Sequence, residues 1–161
     1  MISLRALVPA DVDWIFEACQ DAEIQRWTLV PSPYARADAE WFVSENSEYL
    51  CRAIIDTESS RPLGMIGVHD LVDGVADIGY WVAPWGRGHG VATTAVRTLV
   101  DLLMAEHSAR EVTARVAVTN VASRTTIERA GFSESGREPG ACPDGGEKAD
   151  AVVYRRSLDH G

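Results

Sequence analysis

Hydrophobic residues recur along this chain at two different spacings, and the spacings separate predicted helices from predicted strands. A period near 3.6 residues indicates an amphipathic helix, whereas alternation or a short apolar run between turn residues indicates a strand. Helices are predicted from Pro9 to about Cys19, over 38–45, from about residue 90 to 107, and over 121–130. Strands are predicted over 2–7, 49–56, 63–69, 77–83, 111–118, 132–137 and 149–157. This interleaved order predicts a mixed α/β fold.

Two longer segments interrupt the pattern and are predicted as loops. Residues 27–34 contain two prolines, and residues 138–147 are rich in Gly, Pro and Asp, which predicts a hairpin or a flexible loop there. Shorter turns are predicted over 58–62 and over 71–75. Because no internal repeat or low-complexity linker divides the chain, a single domain over residues 1–161 is expected.

Composition and charge narrow the class of protein. The chain has 161 residues, of which 46% are hydrophobic and 24% are charged, as in a soluble globular protein. It has no basic leader and no apolar run long enough to cross a membrane, so a cytoplasmic location and no membrane partner are expected. A formal net charge of -9 argues against nucleic-acid binding and favours cationic partners.

The three cysteines are expected to be reduced thiols. Cys19, Cys51 and Cys142 lie far apart, and no Cys-x-x-Cys pair or Cys/His spacing accompanies them. Neither a disulfide framework nor a zinc site is therefore predicted, and no metal is expected.

The long helix that ends near residue 107 has an unusual start. Three glycines lie within 86–90, and the segment 78–100 contains no Asp or Glu. A helix start normally has a capping side chain and acidic residues, which satisfy free N–H groups and the positive end of the dipole. Glycines let a ligand approach the backbone, so these N–H groups, helped by Arg87 and His89, predict a phosphate site. The alternative is a glycine-rich turn capped by water.

Two common phosphate-binding motifs do not fit this segment. A nucleoside-triphosphate P-loop requires Gly-Lys-Ser/Thr, but the chain's single lysine, Lys148, lies far away. In a dinucleotide fingerprint, Gly-x-Gly-x-x-Gly, the third glycine would fall on Val91 or Thr93. Both interpretations are excluded.

A third motif does match, as Arg87-Gly-His-Gly-Val-Ala92, which has the form Arg/Gln-x-x-Gly-x-Gly/Ala. Three further segments accompany it in order: Asp77-Ile-Gly-Tyr-Trp-Val-Ala-Pro84, Asn120-Val-Ala-Ser123 and Glu128-Arg-Ala-Gly-Phe132. With these four segments the chain resembles the GNAT superfamily of acetyl-CoA-dependent N-acetyltransferases, and within it the Rim-type branch, named for enzymes that acetylate ribosomal-protein N-termini. The resemblance extends from the first strand to Arg155. It implies a GNAT-like fold, with a central, mostly antiparallel mixed sheet of about six to seven strands and about four flanking helices.

The resemblance also implies a site for acetyl-CoA as cosubstrate. Main-chain groups of Trp81 and Val82 would pair with the pantetheine arm, and the splayed strand would polarise the thioester carbonyl. Asn120 would contact the coenzyme and also cap its own helix, with Gly131 at the other end. The side chain of Tyr80 is interpreted as core packing. The pyrophosphate would lie on the backbone N–H groups of Arg87, Gly88, His89, Gly90, Val91 and Ala92.

The resemblance implies a candidate acid at Ser123, which would give a proton to the leaving thiolate; a water molecule is the alternative acid. The bland interpretation of Ser123 is a small polar residue in a first helical turn. Many relatives use a tyrosine four residues later, where this chain has Ile127. Another departure from the Rim-type pattern is Thr94, where glutamate is usual; it puts the acceptor-side hydrogen bonds in doubt.

The candidate general bases are Asp77, at the start of the central strand, and the neighbours His69 and Asp70, at the end of the preceding strand. A carboxylate or an imidazole can take the amine proton through a water molecule. For any one of these residues, the bland interpretation, a solvated strand end, is favoured.

These features predict transfer of acetyl from acetyl-CoA to a primary amine, foremost a protein or peptide N-terminal α-amine. A small-molecule amine, such as a polyamine or an aminoglycoside, is the alternative acceptor, and a non-catalytic acyl-CoA-binding module is the alternative class. The loops 27–34 and 138–147 are expected to select the acceptor, and a homodimer is left open.

Overall fold

The computed structural model describes residues 1–46 and 50–158, and in them the chain forms five α-helices and one seven-stranded sheet. The sheet order is β1-β2-β3-β4-β5-β7-β6, and every neighbouring pair is antiparallel except β4 and β5. The elements are β1 (Ile2–Ala6), α1 (Asp11–Ala18), α2 (Ala22–Trp27), α3 (Arg36–Asn46), β2 (Cys51–Asp56), β3 (Pro62–Val72), β4 (Val75–Val82), α4 (Val91–His107), β5 (Glu111–Ala117), α5 (Val121–Arg129), β6 (Ser133–Asp144) and β7 (Glu147–Ser157).

The parallel pair at the centre of the sheet is short and then diverges. β4 and β5 pair only from Val75 opposite Glu111 to Ile78 opposite Ala114. Beyond Ile78, β4 continues to Val82 paired with β3, while β5 continues to Ala117 paired with β7. We call the space between the two diverging ends the β4–β5 gap. Since one edge of each strand loses its partner there, backbone groups become available to a ligand.

The two faces of the sheet carry separate hydrophobic cores. Alternation along β2 shows this directly, because Ile54 packs beneath α4 whereas its neighbours Ala53 and Ile55 pack beneath α1 to α3. On the first face α4 buries a full stripe that includes Leu99 and Leu103, each 0% exposed. Burying each leucine contributes about 1.5–3 kcal/mol, so this helix is firmly attached to the sheet.

The predicted mixed α/β fold and its mostly antiparallel sheet are confirmed, but some elements differ from prediction. α2 was not predicted, because its six residues are too short to show a helical period; it begins at Asp21, whose side chain accepts a hydrogen bond from the Ile24 N–H. The predicted turn 71–75 narrows to two residues, since β3 and β4 extend on either side of it. The start of the predicted strand 49–56 lies outside the described residues.

The segment 138–147, predicted as a hairpin or a flexible loop, is a β-hairpin, and most of it lies in the paired strands β6 and β7. β6 runs to Asp144, and only Gly145 and Gly146 separate it from β7. Proline and glycine are tolerated because β6 is an edge strand and its register shifts between Glu138 and Cys142.

None of the helices that the structure describes has the length and apolar character of a bilayer span. The three cysteines of the chain, Cys19, Cys51 and Cys142, are all free thiols, as predicted. Burial raises the pKa of Cys19 to about 12 and that of Cys51 to about 11, which keeps both protonated at neutral pH.

Candidate active site

The glycine-rich segment before α4 forms an exposed helix start without a side-chain cap. Gly88 and Gly90 have φ angles of +86° and +69°, which other residues rarely adopt, and a Cβ atom on either would meet nothing within 4 Å. Gly90 is the N-cap residue, and in the described chain no side-chain hydrogen bond caps the helix there. The first intrahelical bond runs from the Thr94 N–H to the Gly90 carbonyl at 3.1 Å. The preceding N–H groups can therefore bind an anion.

The side chain of Arg87 does not serve this helix start in the way the sequence predicts. Its guanidinium donates to the Asp21 carboxylate, with Nη2 2.5 Å from Oδ2, and to the Val82 carbonyl at 3.3 Å. The hydrogen bond from Arg87 lowers the pKa of Asp21. Because the Arg87 charge is paired with Asp21, the backbone N–H groups and the exposed His89 remain as the candidate anion ligands.

The part of β4 that borders the β4–β5 gap leads along the chain to this helix start. Trp81 and Val82 lie on the part of β4 that no longer pairs with β5. The Trp81 ring packs against Trp14, with ring centroids 5.7 Å apart. This contact lies on the sheet face that α1 to α3 cover, and it holds β4 in place from that side. The main chain of Trp81 and Val82 therefore has one edge without a β5 partner, and its pairing with an extended arm stays a prediction.

α5 starts on the other side of the gap, and its first turn is capped. The Asn120 side chain accepts a hydrogen bond from the Ser123 N–H at 3.2 Å, so the predicted N-cap role is confirmed. Gly131, with a φ of +94°, follows the helix. Asn120 therefore fixes the backbone that carries Ser123.

The Ser123 hydroxyl contacts Tyr80, a residue that the sequence presents only as core packing. The Tyr80 Oη and Ser123 Oγ atoms are 2.6 Å apart. Burial raises the pKa of the Tyr80 phenol to about 12, although hydrogen bonds with Ser123 and Thr126 oppose the increase. No local pattern reports this contact, because the two residues are 43 positions apart.

His69 lies at the opening of the β4–β5 gap. The β3–β4 register shifts between Val68 and Asp70, which leaves His69 as the extra residue of a bulge. Its ring lies over Gly79, where a Cβ atom would overlap the imidazole Nε2. Gly79 is the first residue of β4 beyond the pairing with β5, so this glycine admits an exposed imidazole beside the gap.

Asp77 lies on the same sheet face as Gly79, two residues earlier, but it is held in a polar network. Its Oδ1 atom accepts from Thr113 Oγ1 and from Arg115 Nη1, each at 2.8 Å. Arg115 also binds the Glu138 carboxylate at 3.0 Å. The network connects β4, β5 and β6, which gives Asp77 a structural role.

The two segments predicted to select the acceptor come together and enclose a groove of about 580 Å³. α2 holds them in place, since Arg26 pairs with Asp144 at 2.8 Å and accepts through its carbonyl from the Gly145 N–H. Of the described residues that line it, only Glu147 and Lys148 are charged, and they are adjacent. We call this space the hairpin groove; its lining residues are Gln25, Thr28, Leu29, Val30, Ser32, Gly140, Ala141, Cys142, Pro143, Gly146, Glu147 and Lys148.

The fold and site define a class of protein, and sequence comparison identifies it. The profile of the acetyltransferase (GNAT) domain family matches residues 2–133, so the chain belongs to that family. It is similar to YdaF of Bacillus subtilis (strain 168), whose name describes a ribosomal N-acetyltransferase, with 38% identity over 93 residues, 56% of this chain and 51% of YdaF. The chain spans about half the length of the curated relatives it matches.

Solved structures of the same fold include acetyltransferases for different acceptors. RimL, described as a ribosomal L7/L12 α-N-protein acetyltransferase in complex with coenzyme A, aligns with a TM-score of 0.87 and 19% identity over 99% of this chain and 96% of RimL. The spermidine N-acetyltransferase of Vibrio cholerae, in complex with CoA and spermine, aligns with a TM-score of 0.83 and 19% identity over 97% and 95%. The similarity to YdaF supports the predicted Rim-type branch, and both solved structures support the predicted GNAT-like fold.

Proposed function

We propose that this protein transfers acetyl from acetyl-CoA to a primary amine, and that the preferred amine is the N-terminus of a protein or peptide. The observation that carries the proposal is the adjacency of an uncapped, glycine-rich helix start and a diverging pair of strands. The first can bind the pyrophosphate on backbone N–H groups. The second can pair with the pantetheine arm through the free edge of Trp81 and Val82.

Direct attack of the amine on the thioester requires a proton acceptor and stabilisation of the leaving thiolate. Of the candidate bases, His69 is favoured over Asp77, because its ring makes no hydrogen bond to another described residue, whereas Asp77 Oδ1 already accepts two. An exposed imidazole beside the gap can take the amine proton directly or through water. Ser123, on the opposite side of the gap, is the proposed donor to sulfur.

The hairpin groove supports a peptide acceptor over a polyamine. A polyamine carries several positive charges, and a site that selects it is expected to present unpaired carboxylates. Glu147 is the single acidic residue among the described lining residues, and Lys148 follows it. Asp144, at the edge of the groove, is paired with Arg26 and accepts from Thr119 Oγ1. A neutral groove suits the extended, weakly charged start of a polypeptide.

Release of coenzyme A thiol from acetyl-CoA tests the proposal. The amines to compare are a short peptide with a free N-terminal serine, the same peptide with a blocked N-terminus, spermidine and an aminoglycoside. We expect turnover with the free peptide and background rates with the blocked one. Turnover with spermidine or the aminoglycoside alone would contradict the acceptor class. Binding of acetyl-CoA without turnover on any amine would instead indicate a non-catalytic acyl-CoA-binding module.

A further inference from the structure

Tyr80 joins the two sides of the β4–β5 gap. It lies on β4 beyond the last residue paired with β5, and its hydroxyl reaches the first turn of α5. There Oη lies 2.6 Å from Ser123 Oγ and 3.4 Å from the Ser123 carbonyl oxygen. The serine side chain is therefore the main hydrogen-bonding partner of this phenol.

The neighbours of the phenol indicate which hydroxyl donates. The third hydroxyl in reach, that of Thr126, donates to the Ala122 carbonyl at 3.0 Å. The Tyr80 hydrogen has two acceptors in reach, Ser123 Oγ at 2.6 Å and the Ser123 carbonyl oxygen at 3.4 Å. Ser123 Oγ is the nearest acceptor. A serine oxygen that accepts from Tyr80 still has its own hydrogen to donate elsewhere.

We propose that Tyr80 is a positioning residue: its hydroxyl donates to Ser123 Oγ and thereby directs the serine hydrogen towards the sulfur of the departing coenzyme. This inference rests on the proposed acetyl transfer. When the C–S bond breaks, its electron pair remains on sulfur, and sulfur takes the Ser123 proton. The Tyr80 hydrogen bond stabilises the serine oxygen, which then regains a proton from solvent. The attacking nitrogen gives its proton to His69, directly or through water, and His69 returns it to solvent. Nitrogen thus loses one proton and sulfur gains one.

Ile127 lies one turn after Ser123 on α5, and its hydrocarbon side chain has no hydroxyl that could bind Ser123 or the sulfur. It is 0% exposed and belongs to the core beneath α4. The strand residue Tyr80 therefore provides the phenol that this face of α5 lacks.

A double-mutant cycle on Tyr80→Phe and Ser123→Ala tests the proposal. The readouts are kcat for thiol release and KM for acetyl-CoA, with the free N-terminal serine peptide as acceptor. We expect Tyr80→Phe to lower kcat about tenfold, as for loss of one hydrogen bond in the transition state, with KM for acetyl-CoA nearly unchanged. In the Ser123→Ala background the same change is expected to have no further effect, since Tyr80 acts through Ser123.

Tyr154→Phe is the matched control. It removes the hydroxyl of a buried tyrosine that also contacts α5, where Tyr154 Oη accepts from Arg124 and donates to Glu128. We expect a lower melting temperature and an unchanged kcat. An equal loss of kcat in this control would assign the effect to packing and overturn the proposal.

Two other results would overturn the proposal, and they differ from failure of the proposed function. Losses that multiply in the double variant, or an unchanged kcat in Tyr80→Phe, would overturn the role of Tyr80 while the parent remains an acetyltransferase. A parent protein without turnover on any amine would overturn the proposed function and this inference with it.

Discussion

Two helices begin on either side of the β4–β5 gap, and they satisfy their first N–H groups in different ways. α5 provides its own cap, because the Asn120 side chain accepts from the Ser123 N–H. α4 begins at Gly90 in the left-handed conformation, with no acidic residue in its first turn. A capped start needs nothing further and can hold a side chain such as Ser123 in place. An uncapped, exposed start leaves its first N–H groups without a protein partner, and an anionic ligand can bind to them.

The largest expected effect comes from supplying a negative charge to α4. Gly90→Glu should reduce acetyl-CoA affinity by about 100-fold or more, since the carboxylate occupies or repels the position of the pyrophosphate. Folding should persist, although a side chain at a φ of +69° adds some strain. Calorimetric titration and the melting temperature without ligand measure the two effects.

Gly146→Glu provides the control for Gly90→Glu. Gly146 also has a positive φ, +91°, and open space around a Cβ atom, but it lies in the β6–β7 turn. The Gly146→Glu variant should retain the parent's acetyl-CoA affinity. If Gly90→Glu also binds the coenzyme normally, the α4 start is not a phosphate site.

Acetyl-CoA should protect the first N–H groups of α4, as Asn120 already protects those of α5. Acetyl-CoA at about 100 times its dissociation constant should stabilise the fold by about 2.7 kcal/mol. Hydrogen exchange should slow at the first turn of α4 and change little at the first turn of α5, where Asn120 already caps the helix. Thermal melts and exchange measurements with and without acetyl-CoA test this. No stabilisation by millimolar acetyl-CoA or coenzyme A would contradict the proposed function.

Ser123→Ala tests whether the hydroxyl in the capped first turn of α5 gives a proton to the leaving sulfur. We expect kcat to fall about tenfold, while acetyl-CoA affinity stays near that of the parent, because the contact with sulfur matters mainly in the transition state. Steady-state thiol release and calorimetry separate the two quantities. A loss of affinity alone would make Ser123 a binding residue.

Asn120→Ala removes the cap itself. The free energy of unfolding should decrease by about 1 kcal/mol, the usual effect of losing a side-chain N-cap. Denaturant titration measures it, with Asn120→Asp as the control that keeps a capping oxygen. Equal stability of Asn120→Ala and the parent would show that both helix starts tolerate a missing cap.

The smallest expected effect is a pH dependence at the ion pair between Asp21 and Arg87. Because the folded state lowers the pKa of Asp21, the pair's stabilisation is present above the ordinary aspartate pKa and is lost as pH falls below it. The pair is partly exposed, so the contribution should be under about 1 kcal/mol. Asp21→Asn keeps a capping oxygen for α2. Its melting temperature should lie slightly below the parent's at neutral pH, with the difference vanishing in acid; a constant difference would contradict this assignment.

Features encoded in neighbouring residues could be predicted from the sequence. The spacing of apolar residues predicts α4 and most strands, and the glycines and missing carboxylates of 86–100 predict a helix start that needs an anion. The Asn120 cap follows from residue type and its place before a helix. The strands β6 and β7 were predicted too short, because Pro139 and Gly140 indicate a break that an edge strand can accommodate.

Contacts between distant residues were decided by the tertiary structure alone. The sheet order brings β4 and α5 to the same gap, so that Tyr80 contacts Ser123, 43 positions away in the sequence. It also brings the start of α2 close to the segment before α4, so that Asp21 pairs with Arg87, 66 positions away. The bulge at His69 depends likewise on the register of two strands. Local sequence determines which elements form and which helix start lacks a cap, because backbone propensity and capping act over a few residues. It does not determine which side chains meet, because that depends on how the strands pair and where β4 and β5 diverge.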